Sequence, residues 1–340
     1  MYCSALPSLD ADTPWLLADV GGTFARLACW SPERGLHDVQ KYSNAEYAGI
    51  GELLAAYRAS CGSPPAQALL ALALPISDDA LRFTNRDWAI SARALAKSLE
   101  LPRLVIVNDF VAAAAGALAR VDDADACCRI DAQGAAHGAV RVVLGSGTGL
   151  GVATIVDGDG AERSPPRILE SEAGHMSFAG GHDMPELLRA AKAQWGRVSW
   201  ERLLCGDGLA WVDAQLRGDG TRHNAARVIE LAQAGEAGAL AALTWYARTL
   251  GAFAGDICLA LRATGGVLLA GGVVARLGPL FDGAAFRAGF VDKGRFAKLL
   301  GQVPCWRFSE SDLALHGLVA LLRGAARAPG LDVAAGTWTS

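Results

Sequence analysis

The chain has 340 residues, of which 52% are hydrophobic and 19% are charged, so a large core is expected and intrinsic disorder is excluded. The net charge is −4, and no run of Lys and Arg is long enough to bind nucleic acid or lipid headgroups, which argues against both partners. Eight cysteines without a C-x-x-C pair, an N-terminus unlike a signal peptide and the lack of an unbroken membrane-length apolar stretch predict a cytoplasmic protein with reduced thiols.

The first predicted element is a β-hairpin. Residues 15–30 form an apolar strand, a glycine turn and a second strand of alternating character. Residues 140–156 repeat this pattern, with an apolar run on each side of a turn rich in Gly and Thr. The repeat indicates a duplicated α/β unit, and the length of the chain agrees with two domains.

Helices and strands alternate through the rest of the chain, which is typical of α/β proteins. Between the hairpins, helices are predicted at 45–60, 91–99 and 110–119, and strands at 68–74 and 103–107. After the second hairpin, we expect helices at 184–195, 199–217, about 225–263 and 312–325, a strand at 267–270, and a loose tail at 326–340. No low-complexity linker separates the halves, so we expect them to pack against each other.

The turn of the first hairpin is a candidate phosphate site. Gly21 and Gly22 allow positive φ and let backbone N–H groups approach a phosphate closely, and Thr23 adds a hydroxyl donor. Asp19, at the end of the strand, is placed to hold Mg²⁺ or its water shell. Two glycines alone are more typical of an ordinary hairpin turn.

The second hairpin has a denser turn, in which Gly145, Gly147 and Gly149 alternate with the hydroxyls of Ser146 and Thr148. No Lys follows, and Leu150 continues the chain as a strand, so neither a P-loop nor a dinucleotide-binding fingerprint fits. A third glycine turn, Gly271-Gly272, follows an apolar strand. It suits either contact with a nucleoside or the approach to a helix, and the sequence leaves both open.

Asn108 and Asp109 stand between a predicted strand and an Ala-rich helix. At a helix N-terminus the positive end of the dipole keeps a carboxylate ionised, which suits Asp109 for a general base. An N-cap is the alternative, because Asn and Asp are both good caps.

Glu172 and His175 lie three residues apart, and Glu201 follows later. A metal site is disfavoured because His182 and Cys205 show no ligand spacing to them. Carboxylates and an imidazole are the polar groups that a sugar-binding pocket uses to recognise hydroxyls.

Taken together, these segments resemble the bacterial-type glucokinases, the group without the repressor-like zinc motif, in the hexokinase/actin/heat-shock ATPase superfamily. The resemblance covers nearly the whole chain. The matching segments, in the family's order, are LLADVGGTFARLA (16–28), PISDDALRFTNRDWAIS (75–91), LVIVNDFVAAAAG (104–116), LGSGTGLGVA (144–153), ESEAGHMSFA (170–179), ERLLCGDGL (201–209), LLAGGVVARL (268–277) and FVDKGRFAKLL (290–300).

The resemblance implies a two-lobed actin-like ATPase fold of the ribonuclease H-like type, with duplicated hairpin-led α/β units and a cleft between the lobes. It implies a small domain at 1–118 plus 312–340 and a large domain at 119–311. The implied reaction transfers the γ-phosphoryl group of ATP, with Mg²⁺, to the 6-hydroxyl of D-glucose in glycolysis, and the implied assembly is a homodimer. Structural zinc is not expected, because the Cys-rich motif of the repressor/kinase branch is absent.

The resemblance also assigns roles to residues. Asp109 would take the proton from the 6-hydroxyl. The sugar-binding residues would be Asn85, Asn108, Asp109, Glu172, His175 and Glu201. The nucleotide-binding residues would be Asp19, Val20, Gly21, Gly22, Thr23, Gly145, Ser146, Gly147, Thr148, Gly149, Gly271 and Gly272. Two departures from the family are Phe24 in place of Asn, and Ser171 and Ala173 in place of the usual glycines around Glu172.

Three alternatives follow from the same residues. One is a kinase for mannose, fructose or N-acetylglucosamine, or one that uses polyphosphate. A sugar-sensing repressor would need a helix-turn-helix before the first strand, and only 14 residues precede Trp15. A chaperone or structural ATPase of the actin type would leave Asn108, Asp109 and the carboxylates of the second half without a purpose.

Overall fold

The computed structural model describes residues 9–74, 76, 79–83, 88–130, 138–158, 164–178, 185–310 and 312–334. It divides into two compact units. Unit 1 comprises Met1–Arg120, Val156–Glu170 and Asp312–Ser340, and unit 2 comprises Val121–Ile155 and Ser171–Ser311. Each unit contains a mixed sheet and helices, which confirms the predicted α/β class. Among the helices of the described residues, none combines the length and the hydropathy that a membrane span requires.

The strands build two six-stranded sheets and one short hairpin. They are β1 Trp15–Val20, β2 Phe24–Ser31, β3 Gly35–Ser43, β4 Gln67–Leu72, β5 Ala80–Arg82, β6 Ala89–Ser91, β7 Arg103–Asn108, β8 Cys127–Arg129, β9 Val140–Ser146, β10 Leu150–Val156, β11 Arg167–Ser171, β12 Gly266–Ala270, β13 Cys305–Phe308 and β14 Leu331–Ala334. The first sheet has the order β14-β7-β4-β1-β2-β3, and the second has the order β11-β10-β9-β12-β13-β8. Strands β5 and β6 pair only with each other.

The α-helices are distributed between and after these strands. They are α1 Ile50–Ser60, α2 Ala92–Ser98, α3 Asp109–Arg120, α4 Pro185–Trp195, α5 Trp200–Leu204, α6 Gly206–Arg217, α7 Ala225–Gln233, α8 Ala237–Leu261, α9 Gly272–Leu277, α10 Gly283–Val291, α11 Ala297–Gly301 and α12 Leu313–Leu322.

In unit 1, β1 and β2 form the predicted antiparallel hairpin, and β1 also pairs in parallel with β4, which pairs in parallel with β7. The inner strands β4 and β7 carry continuous buried apolar runs, because strands pair along both of their edges and helices pack against their faces. In unit 2, β12 pairs in parallel with both β9 and β13. The carboxyl ends of β9 and β12 therefore meet at one edge of the second sheet, where both glycine turns of unit 2 begin.

Helices α3 and α12 of unit 1 cross with their backbones in contact. A Cβ atom at Gly116 would overlap the carbonyl oxygen of Leu313, and one at Gly317 would overlap that of Ala112. The crossing therefore requires glycine in both helices. It fixes the position of α3, and with it the residue at the N-terminus of α3.

Three sequence predictions are wrong in detail. The predicted helix 199–217 is divided at Cys205, whose extended backbone ends α5 while its sulfur accepts the N–H of Gly208 at the start of α6. The predicted helix 225–263 is divided at Gly235, which has φ +81°, and Glu236 then caps α8. The tail is not loose throughout, because β14 extends the first sheet beside β7.

Candidate active site

The turn between β1 and β2 is held by hydrogen bonds from within and from outside it. The N–H of Gly21 donates to the carbonyl oxygen of Phe24 at 3.1 Å. Asn44 is fully buried, and its side-chain amide donates to the carbonyl oxygen of Gly21 at 2.8 Å while its backbone N–H donates to Thr23 at 3.0 Å. Neither Gly21 nor Gly22 has positive φ, so that part of the prediction is wrong. The turn owes its shape to Asn44 instead.

Asp19 lies on β1 directly opposite Arg26 on β2, and Arg26 Nη1 is 3.5 Å from Asp19 Oδ2. The carboxylate is 14% exposed. Burial raises the pKa of Asp19 to about 6, against the attraction of Arg26, and the nearby Asp312 raises it further. A desolvated carboxylate of this kind gains strongly from a second positive charge.

Phe24 ends the same turn and is 39% exposed, with the ammonium of Lys41 4.1 Å from the centre of its ring. At the end of the turn, Phe24 therefore makes a cation–π contact, where an Asn side chain could make hydrogen bonds.

Asn108 and Asp109 stand at the junction of β7 and α3, as predicted, and their structural roles differ. Asn108 Oδ1 accepts the N–H of Phe110 at 2.8 Å and that of Val111 at 3.3 Å, and its Nδ2 donates to Leu74 at 3.2 Å. Asn108 is therefore the N-cap of α3, and the alternative that Asp109 caps the helix is wrong. Asp109 occupies the first helical position, partly exposed, where the helix dipole favours its ionised form.

The two glycine turns of unit 2 lie side by side. Gly271 has φ +93°, and a Cβ atom there would lie 2.7 Å from the nitrogen of Ser146. A Cβ atom at Gly147 would meet nothing nearer than the nitrogen of Gly272, at 4.0 Å. Gly271 also precedes α9, so it serves the helix approach that the sequence left open.

Ser146 differs from its predicted environment. It is buried, and its hydroxyl donates to the carbonyl oxygen of Leu204 at 2.6 Å. The N–H of Gly147 bonds to Gly149 within the turn at 2.9 Å, whereas the side chain of Thr148 is exposed. The hydroxyl that this loop presents to solvent is therefore that of Thr148.

Glu172, His175 and Glu201, although distant in sequence, form one cluster in unit 2. His175 Nε2 lies 3.8 Å from Glu172 Oε2, and His175 Nδ1 lies 3.7 Å from Glu201 Oε1. The side chains of Glu172 and His175 are more than half exposed, and that of Glu201 is 29% exposed. The imidazole thus stands between two carboxylates, both open to a polyhydroxyl ligand.

Glu201 also reaches the glycine loop. Its Oε2 accepts the N–H of Leu150 at 3.0 Å, immediately after Gly149. One carboxylate therefore connects the loop at 145–149 with the cluster around His175. This connection has no signal in the sequence, because Glu201 lies 51 positions after Leu150.

The departures around Glu172 have local explanations. The Ser171 hydroxyl accepts the N–H of Ala173 at 3.1 Å, and Ala173 packs against the core of unit 2. Gly174 is the position that needs glycine, because a Cβ atom there would overlap the carbonyl oxygen of Leu150. Asn85 lies outside the described residues.

Known proteins resemble this chain along most of its length. The family model described as Glucokinase matches residues 16–325. A glucokinase of Chromohalobacter salexigens is 38% identical over 301 residues, which cover 86% of this chain and 92% of that protein. A protein of Burkholderia orbicola named bifunctional protein glk is 36% identical over 92% of this chain, which spans about half, 49%, of its length.

A solved structure agrees with these relatives. The glucokinase of an Antarctic psychrotroph superposes with a TM-score of 0.73 at 29% identity, covering 91% of this chain and 98% of that one.

Proposed function

Since this chain belongs to the glucokinase family and is an ATP-dependent hexose kinase, we propose that Asp109 is the base that accepts the proton of the glucose 6-hydroxyl. The observation that carries this role is the capping of α3 by Asn108, which places Asp109 at the first helical position, after the cap. The contact between α3 and α12 holds the first turn of the helix in place. A fixed and partly exposed carboxylate at a helix N-terminus is suited to abstract a proton from an alcohol.

Glu172, His175 and Glu201 would bind the other hydroxyls of the sugar. Each carboxylate can accept two or more hydrogen bonds, and the imidazole can donate or accept. Glu201 would use Oε1, because Oε2 already accepts the N–H of Leu150. Asn108 has one amide proton left for the sugar after its bond to Leu74.

The glycine turns would hold the phosphates and the nucleoside of ATP. In the loop at 145–149, the candidates are the Thr148 hydroxyl and the amides of Thr148 and Gly149, since the Ser146 hydroxyl and the Gly147 N–H are already engaged. Gly271 and Gly272 begin the neighbouring turn and would lie near adenosine. In unit 1, the turn formed by Val20, Gly21, Gly22 and Thr23 would lie against the phosphates, with the exposed Thr23 supplying its hydroxyl; the N–H of Gly21 is already engaged with Phe24.

Asp19 fits a role in holding Mg²⁺, directly or through its water shell. Its carboxylate is mostly buried with a pKa raised to about 6, so a divalent cation would offset the cost of its desolvation. When bound, Mg²⁺ neutralises charge on the transferring phosphoryl group. The amides and hydroxyls of this chain then orient the phosphates, and Asp109 removes the proton.

Three further features belong to the same proposal. We place the enzyme in the cytoplasm, at the entry of glucose into glycolysis, as a homodimer. The seven described cysteines are all free, which supports a reducing compartment. The dimer rests on the likeness to the family.

Asp109→Asn tests the base directly, because it retains size and hydrogen bonding but cannot take the proton. A positioned base contributes about 10²–10⁴ in rate, so kcat should fall by that factor while the affinity for glucose, measured by calorimetry, changes little. Glu186→Gln, at an exposed first turn of α4, is the matched control and should keep full activity. Turnover of Asp109→Asn within tenfold of wild type would refute the assignment.

A further inference from the structure

A row of charged side chains crosses three neighbouring strands of the first sheet, beside the turn of the first hairpin. Asp19 on β1 lies directly opposite Arg26 on β2, and Arg26 lies directly opposite Lys41 on β3. The side chains of directly opposite residues point to the same face of a sheet. One carboxylate and two cations therefore stand side by side within unit 1.

The charges of this row do not balance. Arg26 Nη1 lies 3.5 Å from Asp19 Oδ2, so the carboxylate offsets the charge of the guanidinium. Lys41 is exposed, and within the part of the chain that the structure describes it forms no ion pair. Like charges that face each other on neighbouring strands destabilise a sheet. An anion bound beside Lys41 and Arg26 would offset that repulsion.

The ring of Phe24 determines where the Lys41 ammonium lies. Phe24 precedes Arg26 by two residues on β2, so both side chains point to the same face of the sheet. The ammonium is 4.1 Å from the centre of the ring, which is within the range of a cation–π contact. This contact restricts a long and flexible side chain before any ligand binds, which lowers the entropy that binding has to remove.

Phe24 also closes the turn that the proposed function places against the phosphates of ATP. Its carbonyl oxygen accepts the N–H of Gly21 at 3.1 Å, and it directly follows Thr23, whose side chain is exposed. A cation held on this ring therefore stands beside the turn. The ring is one of the two departures from the family, which usually has Asn at position 24.

We propose that the ammonium of Lys41 binds the phosphates of ATP and that Phe24 positions it for this contact. The inference rests on the proposed function, because it takes the first glycine turn as a phosphate site. An ammonium has three N–H donors and a compact charge, which suits it to the several oxygens of a polyphosphate. A P-loop carries its lysine on the glycine loop itself, whereas here the lysine comes from the next strand of the sheet.

The alternative is that Lys41 is a solvated lysine whose contact with Phe24 only stabilises the sheet. Exposed cation–π contacts and exposed charge pairs contribute little to stability. On this alternative, removal of the ammonium would lower the Tm slightly and leave the kinetic constants for ATP unchanged. The two interpretations therefore differ in the KM for ATP and in its dependence on ionic strength.

Lys41→Met tests the contact, because it keeps an unbranched apolar side chain and removes the charge. The KM for ATP, measured with saturating Mg²⁺ and glucose, should rise about tenfold, as expected for the loss of one hydrogen bond to a charged group. Lys41→Arg should restore most of the affinity, since a guanidinium keeps the charge and stacks on aromatic rings. Lys97→Met, at an exposed position in the last turn of α2, is the matched control and should keep the KM of wild type.

Two further measurements separate a direct contact from a change in the shape of the site. Adenosine has no phosphate, so its inhibition constant against ATP should be the same for wild type and Lys41→Met. Added KCl should raise the KM for ATP of wild type more than that of Lys41→Met, because salt screens an interaction that the variant has lost. Equal losses of affinity for adenosine and for ATP would overturn the proposal.

Phe24→Leu tests the positioning role, because it removes the ring and keeps an apolar side chain. It should raise the KM for ATP by less than Lys41→Met does, and it should add almost nothing in the Lys41→Met background. Independent, additive effects of the two substitutions would overturn the role of Phe24.

An unchanged KM for ATP in Lys41→Met would overturn the inference as a whole. The proposed function is tested separately by Asp109→Asn. Loss of turnover in Asp109→Asn together with an unchanged Lys41→Met would refute the role of Lys41 alone, so the two failures are distinguishable.

Discussion

The two hairpins that lead the units have the same topology but present different chemistry. In the first, β1 ends beside a mostly buried carboxylate, Asp19, and a distant side chain, Asn44, holds the turn. In the second, the loop at 145–149 carries no charge, its serine hydroxyl faces the core, and the carboxylate of Glu201 holds its exit. One hairpin is built to offer a negative charge, and the other is built to offer backbone groups.

Phosphoryl transfer needs both neutralisation of charge through a metal ion and donors for the phosphate oxygens. On the function proposed above, the first hairpin would serve the former need and the second hairpin the latter. Each hairpin is braced by a residue outside its own turn, Asn44 in the first and Glu201 in the second. Substitutions in the two hairpins should therefore change the stability and the kinetic constants of the protein in different ways.

The largest effect is expected for Asp19→Asn, which should lower kcat by about 10²–10³-fold, the loss seen when one preorganised group is removed from developing charge. The same variant should be more stable than wild type at neutral pH. The pKa of Asp19 is raised from 3.8 to about 6, so its contribution to stability is full below 3.8 and is lost as pH rises through 6. Asn avoids that loss, which amounts to at most about 3 kcal/mol.

Denaturant unfolding at pH 7.5 and at pH 4 measures this, together with steady-state kinetics. The stability advantage of the Asn variant should shrink as pH falls through 6. Asp292→Asn, at an exposed position, should change neither quantity. A variant that loses stability at pH 7.5 while it keeps its kcat would show that Asp19 is a structural partner of Arg26.

A smaller effect is expected for Asn44→Ala, which leaves the partly buried carbonyl oxygen of Gly21 without this donor. An unpaired buried polar group costs about 1–3 kcal/mol, and the KM for ATP should rise because the turn loses its brace. Asn224→Ala removes the cap of α7, a comparable loss of about 1 kcal/mol, without touching either hairpin. If both variants raise the KM for ATP equally, the brace has no specific role.

The smallest effect on stability is expected for Gly147→Val. The space beside Gly147 is open, so the fold should be unaffected and the new side chain should lie where we place the nucleotide. Losing one hydrogen bond to a charged phosphate costs about 1.5–3 kcal/mol, so the KM for ATP should rise about tenfold or more with sugar binding intact. Gly62→Val, which also has open space, is the control; an unchanged KM in Gly147→Val would exclude this loop from nucleotide binding.

The sequence predicted the elements whose apolar residues recur with a clear period and whose ends are marked by turn or capping residues. Both hairpins and the strand and helix around Asp109 lie where the patterns placed them, because apolar strands followed by Gly or Asn-Asp are unambiguous local signals. It did not predict β14, whose pairing with β7 is decided by the edge of the sheet rather than by its own four residues. The break at Gly235-Glu236 was within reach, since a positive-φ glycine followed by a capping Glu ends one helix and begins the next.

The candidate site was predicted as a set of residue types and not as an arrangement. Asn44 was missed because a brace that acts from another element leaves no motif in the chain. Which of Asn108 and Asp109 caps α3 depends on which residue is the first with a helical backbone. Sequence patterns do not locate a helix end to within one position. The link from Glu201 to Leu150 arises only once α5 has packed beside the second sheet.

The glycine-to-glycine contact of α3 and α12 also has a consequence for biosynthesis. α3 ends at residue 120 and α12 begins at residue 313, so the ribosome makes the whole of unit 2 before α3 can meet its partner. During that time the nascent chain carries Asp109 on a helix whose bare glycine face is uncovered. Contacts between such distant segments form late and slowly. Asp109 would therefore reach its place on a fixed helix only among the last steps of synthesis.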